Sequence, residues 1–320
     1  MSIRINPALR GIAAASTLAI ALTACGGDGN GGEPIDEEQT EFRIGVSNEH
    51  EAHRELARIA EEEYGYEIEL VNFTDYNQPN PALASGDLDA NWFQHIAFLA
   101  EHNLSTGDNL QPIAPTEIVP LTLYSNEYDE VDGFQDGDEI AIPNDPVNQG
   151  RAIHVLAAAG LVELADDVAQ PEPRHLDEEA STVAVNPVDA SQTVNALESV
   201  EGSVINNNFA QDAELDPLND GIFEDDPEDP EAQAYVNIFV TREEDADNEA
   251  LQEIASIYHD ERVLEIMAER SNDTSVPVDD LSPEELQELL ADYEASLDAE
   301  GVETDEEGED DAEGEEAEDE

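Results

Sequence analysis

The sequence contains no lysine. All ten of its basic residues are arginine, against 81 aspartates and glutamates in 320 residues, and the formal net charge at pH 7 is −71. Proteins that bind nucleic acids place basic residues against phosphates, so this composition argues against a nucleic-acid partner. Cysteine is equally scarce: the single one, Cys25, excludes an intrachain disulfide.

The apolar run near the N-terminus is too short to remain in a bilayer as a spanning helix. Residues 11–22 are mostly apolar and carry no charge, which is about 12 residues where a transmembrane helix needs roughly 20. Arg4 and Arg10 precede this run and form a positive N-terminal region. A positive region followed by a short apolar run predicts a signal peptide over residues 1–24.

That run ends in Leu22-Thr23-Ala24-Cys25, which resembles the lipobox of bacterial lipoproteins. In those proteins the cysteine becomes the first mature residue and carries lipid. The resemblance implies lipidation of Cys25, a lipid anchor in the cell membrane and a location on its extracytoplasmic face. The alternative is an unmodified thiol after an ordinary signal peptide. Residues 25–40 are rich in glycine and acids and are predicted to be a flexible tether.

Acidic residues are concentrated at the C-terminus but are not confined to it. In residues 298–320, 15 of 23 side chains are acidic, which predicts a disordered, solvated tail. The other 66 acids are spread over the rest of the chain, where their repulsion destabilises a compact fold. At about 1 M salt the Debye length falls to roughly 3 Å and screens that repulsion. We therefore predict a halophilic acidic protein built for a hypersaline setting.

Alternating apolar side chains predict strands on both sides of a helix. Residues 42–46 and 66–70 alternate, and residues 48–64 between them have helical spacing. A strand, a helix and a strand in about 30 residues predict a parallel βαβ unit, and such sheets bind ligands at the carboxyl ends of their strands. The continuing alternation predicts an α/β fold of two lobes joined by two crossovers.

The predicted crossovers divide the chain into lobes. Residues 41–120 together with 233–297 form the first lobe, and residues 121–232 form the second. Within the second lobe, residues 212–231 are acidic and rich in proline, and we interpret them as a surface excursion.

Residues 73–99 are unusually rich in both aromatic and amide side chains. Ligand pockets are mostly apolar with a few placed polar groups. We therefore predict that Tyr76, Phe93, His95 and Phe98 form the wall of a pocket for a small, partly apolar ligand. The alternative is that Phe93 and Phe98 belong to the core.

A second candidate segment is residues 143–151, which lead into a predicted helix. A helix N-terminus attracts anions through its free N–H groups and its dipole. The segment contains Asn148 and Arg151, and a guanidinium fits a carboxylate in a bidentate manner. The alternative is that Arg151 pairs with one of the many acids.

Two asparagines lie in or at the ends of predicted apolar strands, Asn206 and Asn237. A buried amide costs stability unless it is paired, so these residues are either structural amides with partners or ligand contacts.

The order of these residues resembles the methionine-binding lipoproteins of bacterial ABC importers, the NlpA/MetQ family. Residues 73–99 follow that family's pattern F-x-D-Y-x-x-P-N-x-A-L, G-D-x-D-A-N, F-Q-H-x-x-Y-L, and residues 142–151 follow I-P-N-D-P-x-N-x-G-R. One position departs: Phe98 stands where the family has a second pocket tyrosine, so its ring is kept and its hydroxyl is lost.

The resemblance implies a type II periplasmic-binding-protein fold and a ligand of L-methionine or a related small molecule. It assigns the ligand's carboxylate to Asn148 and Arg151, and its polar end to Asn206 and Asn237. It also implies delivery to the permease and ATPase complex of an ABC transporter. The alternative is the same fold binding a methionine-containing dipeptide or another amino acid.

We expect neither an enzyme nor a cofactor. The sequence has no nucleophile-elbow motif, no phosphate-binding glycine loop and no thiol pair. His50 and His53 are three residues apart on the first predicted helix, and a surface metalloenzyme using them is a third hypothesis. Because no third ligand is fixed, we interpret both as exposed helix histidines and predict no metal site.

Overall fold

The computed structural model describes residues 34–165 and 168–310. The predicted signal peptide, Cys25, most of the tether and the last ten residues of the predicted tail lie outside the described residues. No helix within these two ranges is both long and apolar enough to cross a membrane.

The described ranges contain eleven strands in two sheets. In chain order they are β1 (Glu41–Ser47), β2 (Glu67–Phe73), β3 (Ala90–His95), β4 (Leu110–Ile118), β5 (Thr122–Tyr124), β6 (Asp138–Pro143), β7 (Val183–Val188), β8 (Gly202–Ile205), β9 (Gly221–Glu224), β10 (Val236–Arg242) and β11 (Val276–Pro277). The first sheet has the order β11-β4-β10-β3-β1-β2, and the second has the order β7-β6-β8-β5-β9. β1 runs parallel to both β2 and β3, so the predicted βαβ unit is confirmed.

The same ranges contain nine α-helices. They are α1 (Glu51–Ile59), α2 (Pro79–Ala84), α3 (Ile96–Thr106), α4 (Pro146–Ala158), α5 (Thr193–Ala196), α6 (Asn207–Asp212), α7 (Glu249–Ser256), α8 (Glu261–Ser271) and α9 (Pro283–Asp310). α1 continues into a π-helical turn, Ala60–Tyr64, and this helical segment ends at Gly65. The φ of Gly65 is 81°, a left-handed conformation that glycine adopts freely.

The last helix extends into the segment that the sequence predicts to be a disordered tail. α9 opens with a capping box, in which Ser282 N donates to Glu285 Oε2 (2.8 Å) and Glu285 N donates to Ser282 Oγ (3.3 Å). It continues to Asp310, so residues 298–310 are helical. Glutamate favours helices and no proline interrupts this stretch. The disorder of the tail stays a prediction.

Each sheet has its own apolar core. In the first, Ile44 of β1 shares a buried cluster with Leu56 and Ile59 of α1. In the second, Ile142 of β6 shares one with Leu156 of α4.

The chain passes between the sheets twice. It leaves the first sheet after Ile118, enters the second at Thr122, and returns between Glu224 and Val236. The lobe boundaries at residues 120 and 232 stay a prediction.

Residues 212–231 are more than a surface excursion. Part of the segment forms β9, which pairs with β5 at the edge of the second sheet. The acidic composition obscured a strand of only four residues.

Candidate functional site

A cavity of about 110 Å³ is lined by residues of the first sheet, of the helices α1, α3, α4, α6 and α8, and of the segment 119–121 that joins the two sheets. All of the ligand contacts predicted from the sequence line it, namely Tyr76, Phe93, His95, Phe98, Asn148, Arg151, Asn206 and Asn237. The structure therefore brings together residues that are far apart in the chain. Their contact with a ligand stays a prediction.

His95 connects the two candidate segments. It stands at the N-cap of α3, where its Nδ1 accepts from Phe98 N (3.2 Å), and its Nε2 faces Asn148 Oδ1 at 3.4 Å. Because Nδ1 is an acceptor, the ring proton lies on Nε2 and is directed toward Asn148. Burial and, to a smaller extent, the charge of the nearby Arg151 lower the pKa of His95 to about 3. The imidazole is therefore neutral at physiological pH.

Asn148 is held in place by the start of its own helix. Asp145 caps α4, and its Oδ1 accepts from both the backbone N (2.9 Å) and Nδ2 (3.0 Å) of Asn148. Asn148 Oδ1 also accepts from Asn206 Nδ2 at 3.1 Å. Burial raises the pKa of Asp145 to about 6. The amide oxygen of Asn148 thus points toward the cavity residues His95 and Asn206.

Arg151 lies at the cavity wall and is almost fully buried. Its Nε donates to Asp225 Oδ2 (2.6 Å), its Nη2 donates to Val119 O (2.9 Å), and its guanidinium carbon is 4.1 Å from the ring centre of Tyr235. Arg151 therefore does pair with an acid, Asp225, as the alternative interpretation expected, and it also lines the cavity. These contacts fix the plane of the guanidinium group.

Three rings form one wall of the cavity. Tyr76 lies 6.1 Å from both Phe93 and Phe98, which are themselves 5.8 Å apart. Both phenylalanines are half-buried cavity residues, outside the apolar core clusters of the described chain. The Tyr76 hydroxyl donates to Oδ1 of Asn208, a residue of α6 that also lines the cavity.

Asn206, at the N-cap of α6, and Asn237, in β10, differ in how their side chains are paired. Asn237 Nδ2 donates to Glu117 O at 3.2 Å, as a structural amide would. Asn206 uses Nδ2 to bond Asn148, whereas its buried Oδ1 has no partner among the described residues.

The interpretation of His50 and His53 as exposed helix histidines is wrong. Their rings stack at 3.7 Å, His53 is 3% exposed, and both line the cavity. The cause is the start of α1, which turns His53 toward the ring of Trp92 at 4.5 Å. Burial lowers the pKa of His50 to about 3 and that of His53 well below its usual value. No described group of three histidine, cysteine or acidic side chains is arranged to hold a metal ion.

Sequence reasoning missed several further cavity residues. They include Ser47, His50, His53, Trp92, Glu117 and Met267. Trp92 directly precedes Phe93 in the recognised segment, so its position could have been inferred. Glu117 carried no signal, because it is one of 81 acids.

The sequence model of the NlpA lipoproteins matches residues 42–279. The chain belongs to the NlpA lipoprotein family. It is 35% identical over 258 residues to the probable D-methionine-binding lipoprotein MetQ of Vibrio cholerae, an alignment that covers 80% of this chain and 92% of the relative. The family predicted from the two motifs is confirmed.

Solved structures agree with membership in the NlpA family. A periplasmic substrate-binding protein of an ABC transporter from Coxiella burnetii superposes with a TM-score of 0.69 at 30% identity, covering 74% of this chain and 100% of that one. A nutrient-binding protein from Burkholderia cenocepacia bound to methionine gives a TM-score of 0.70 at 28% identity, covering 74% and 100%. The predicted α/β periplasmic-binding-protein fold is confirmed. These relatives are named as binding proteins rather than as enzymes.

Proposed function

We propose that this protein is an extracytoplasmic, lipid-anchored substrate-binding protein, without catalytic activity, that captures methionine and delivers it to the permease and ATPase of an ABC transporter. The observation that carries the proposal is an aromatic wall beside Asn148 and Arg151 in one cavity. Rings suit a thioether, since each sulfur–ring contact contributes about 0.3–1.5 kcal/mol. A guanidinium group with a fixed plane suits a carboxylate.

The size of the cavity supports a single amino acid as ligand. Its volume of about 110 Å³ is below the roughly 300–1,000 Å³ of pockets for drug-sized molecules. Methionine has about nine heavy atoms, so a ceiling of about −1.5 kcal/mol per atom limits binding to roughly −13 kcal/mol. Nanomolar affinity, about −12 kcal/mol, approaches that ceiling and requires almost complete burial of the ligand.

The experiment that tests the ligand is mass spectrometry of small molecules released on denaturation. The protein is expressed without residues 1–25 and kept in molar salt. Stoichiometric methionine supports the proposal, and a different amino acid or a dipeptide moves the assignment to that ligand. If the protein is purified empty, calorimetry with methionine in the same salt decides, and the absence of binding there refutes the proposal.

Arg151→Ala tests the assignment of the carboxylate. We expect loss of measurable methionine binding, because the ligand's carboxylate is left without its cation in a buried site. Arg174→Ala is the matched control, since that arginine pairs with Glu172 on an exposed surface outside the cavity. Retained affinity in Arg151→Ala refutes the role.

The anchor is tested at Cys25. We expect the full chain to fractionate with membranes and to carry the mass of attached acyl chains, and we expect Cys25→Ser to lose both. Two or more acyl chains make a stable anchor, whereas one is marginal.

A further inference from the structure

Two side chains with a formal charge line the cavity among the described residues, Arg151 and Glu117. The histidines that share the cavity are neutral, because burial lowers the pKa of each of His50, His53 and His95. In a chain with 81 acids, a cavity wall with one carboxylate and one guanidinium differs sharply from the surface. One negative and one positive group are the complement of a zwitterion.

Glu117 is placed to receive a hydrogen-bond donor. It is the second-last residue of β4 and only 7% exposed, and its Oε2 has no hydrogen-bond partner among the described residues. Leaving a buried acceptor unpaired costs free energy, so a ligand group that donates to it is favoured. Burial raises the pKa of Glu117 to about 7, consistent with a carboxyl group that lacks a full counter-charge.

The groups around Glu117 do not supply that counter-charge. The hydroxyls of Ser275 and Tyr258 are neutral hydrogen-bond donors near the Glu117 carboxyl group and, like the charge of Arg270, lower its pKa, but burial outweighs them. Arg270 on α8 is itself paired with Asp212, its Nη2 lying 2.8 Å from Asp212 Oδ1. The histidines of α1 contribute no charge.

We propose that Glu117 accepts the ammonium group of the bound ligand, so that the cavity recognises zwitterions with Arg151 as the counterpart for the carboxylate. The inference rests on the proposed function only in taking this cavity as the ligand site. It extends the assignments made from sequence, in which the polar end of the ligand belonged to Asn206 and Asn237. Both of those side chains are uncharged, and Asn237 is already bonded to Glu117 O.

The test is calorimetry of the wild type, Glu117→Gln and Glu101→Gln with methionine and with N-acetylmethionine, which lacks the ammonium group. Glu101 on α3 is the matched control, because it is also a partly buried glutamate with a pKa raised by burial but lies outside the cavity. We expect Glu117→Gln to weaken methionine binding about tenfold to hundredfold, the range of a hydrogen bond to a charged group. N-acetylmethionine binding should change little, and Glu101→Gln should match the wild type.

Proton release gives a readout that a merely structural role would not produce. Because the pKa of Glu117 is raised to about 7, the side chain in the empty cavity is partly protonated at pH 6.5, and an ammonium contact lowers the pKa and expels that fraction of a proton. Titrations in two buffers of different ionisation enthalpy should therefore show proton release by the wild type on binding methionine. Glu117→Gln should show none.

The outcomes separate the two proposals. If the wild type binds methionine and Glu117→Gln binds it equally well, the inference about Glu117 is overturned while the proposed function stands. If denaturation releases another zwitterion, the methionine assignment fails, and the same variants are tested with that compound and its N-acetylated form. If Glu117→Gln weakens both ligands equally without losing proton release, or if the wild type binds no zwitterion, Glu117 has no such role. Thermal unfolding of each variant in molar salt confirms that the comparison is made on folded protein.

Discussion

At the scale of single residues, His95 is the side chain on which the cavity's polar network depends. Its Nδ1 accepts from Phe98 N, which requires the neutral ring, and its Nε2 is directed at Asn148 Oδ1. Its pKa of about 3 in the folded protein lies below the unfolded value near 6.5. As the pH falls through 6.5, the unfolded chain therefore takes up the proton first, and the fold loses stability.

We predict that His95→Asn flattens the pH dependence of stability between pH 6.5 and 4.5. Asparagine keeps an N-cap acceptor but has no proton to gain. The wild type should lose up to about 1.4 kcal/mol more per pH unit than the variant. Denaturant unfolding at several pH values in molar salt measures the difference. Identical slopes would show that His95 is not the buried neutral group described here.

The cavity residues were predictable from sequence where they lie in contiguous runs. Tyr76, Phe93, His95 and Phe98 share one segment whose order resembles a family pattern, and Arg151 stands in another. Asp225 lies 74 positions from Arg151 and is one acid among many, so only the folded chain identifies the pair. Glu117 could not be identified from the sequence for the same reason.

At the scale of elements, the N-terminus of α4 determines where Asn148 points. Asp145 satisfies the backbone N of Asn148 and its side-chain amide with a single oxygen, so the cap and the candidate site share one bond network.

We predict that Asp145→Ala destabilises the protein by about 1–2 kcal/mol, the usual cost of a lost N-cap, and also weakens methionine binding. Asp145→Asn keeps an acceptor for the Asn148 N–H groups and should cost less on both counts. Chemical denaturation and calorimetry on the two variants measure the effects. If both variants lose equal stability, the carboxylate acts in some way other than as a cap.

Prediction of elements was accurate where the periodicity was strong and failed where composition dominated. The βαβ unit around α1 followed from alternation and a glycine stop. β9 was missed because four half-buried residues inside an acidic, proline-rich segment show no clear period. The charge of residues 298–310 predicts a disordered tail, whereas the described backbone of α9 continues to Asp310, so the disorder of the tail stays a prediction.

At the scale of the whole molecule, a few polar contacts join the two halves of the described chain across the cavity. Asp212 on α6 accepts from Asn48 Nδ2 and from Arg270 Nη2, each at 2.8 Å. Asn208 on the same helix donates to Ser47 Oγ at 3.4 Å. These contacts hold α6 against the end of β1 and against α8, beside the cavity.

We predict that Asp212→Asn weakens methionine binding by about twofold to fivefold, because exposed ion pairs contribute about 0.2–1 kcal/mol. Small-angle scattering of the empty variant should show a larger radius of gyration than that of the wild type. Glu172→Gln, which breaks an ion pair with Arg174 outside the cavity, is the control. An unchanged radius would contradict a closing role for Asp212.

The net charge of the chain leads to a prediction about how thermal stability depends on salt. Raising the salt from about 0.1 M to molar concentration should increase the melting temperature, because the Debye length shrinks from about 10 Å to about 3 Å and screens repulsion among the acids. Calorimetric scans across a salt series measure this. A melting temperature that is independent of salt would contradict the interpretation of a protein built for hypersaline conditions.

Trp92 is the only tryptophan in the sequence, and it stands at the wall of the cavity. Its indole stacks on Phe239 at 5.0 Å and meets the edge of Tyr258 at 5.4 Å. Ultraviolet excitation selective for indole therefore reports from this one place in the molecule. The protein carries its own optical probe, and ligand entry can be followed in real time without a label.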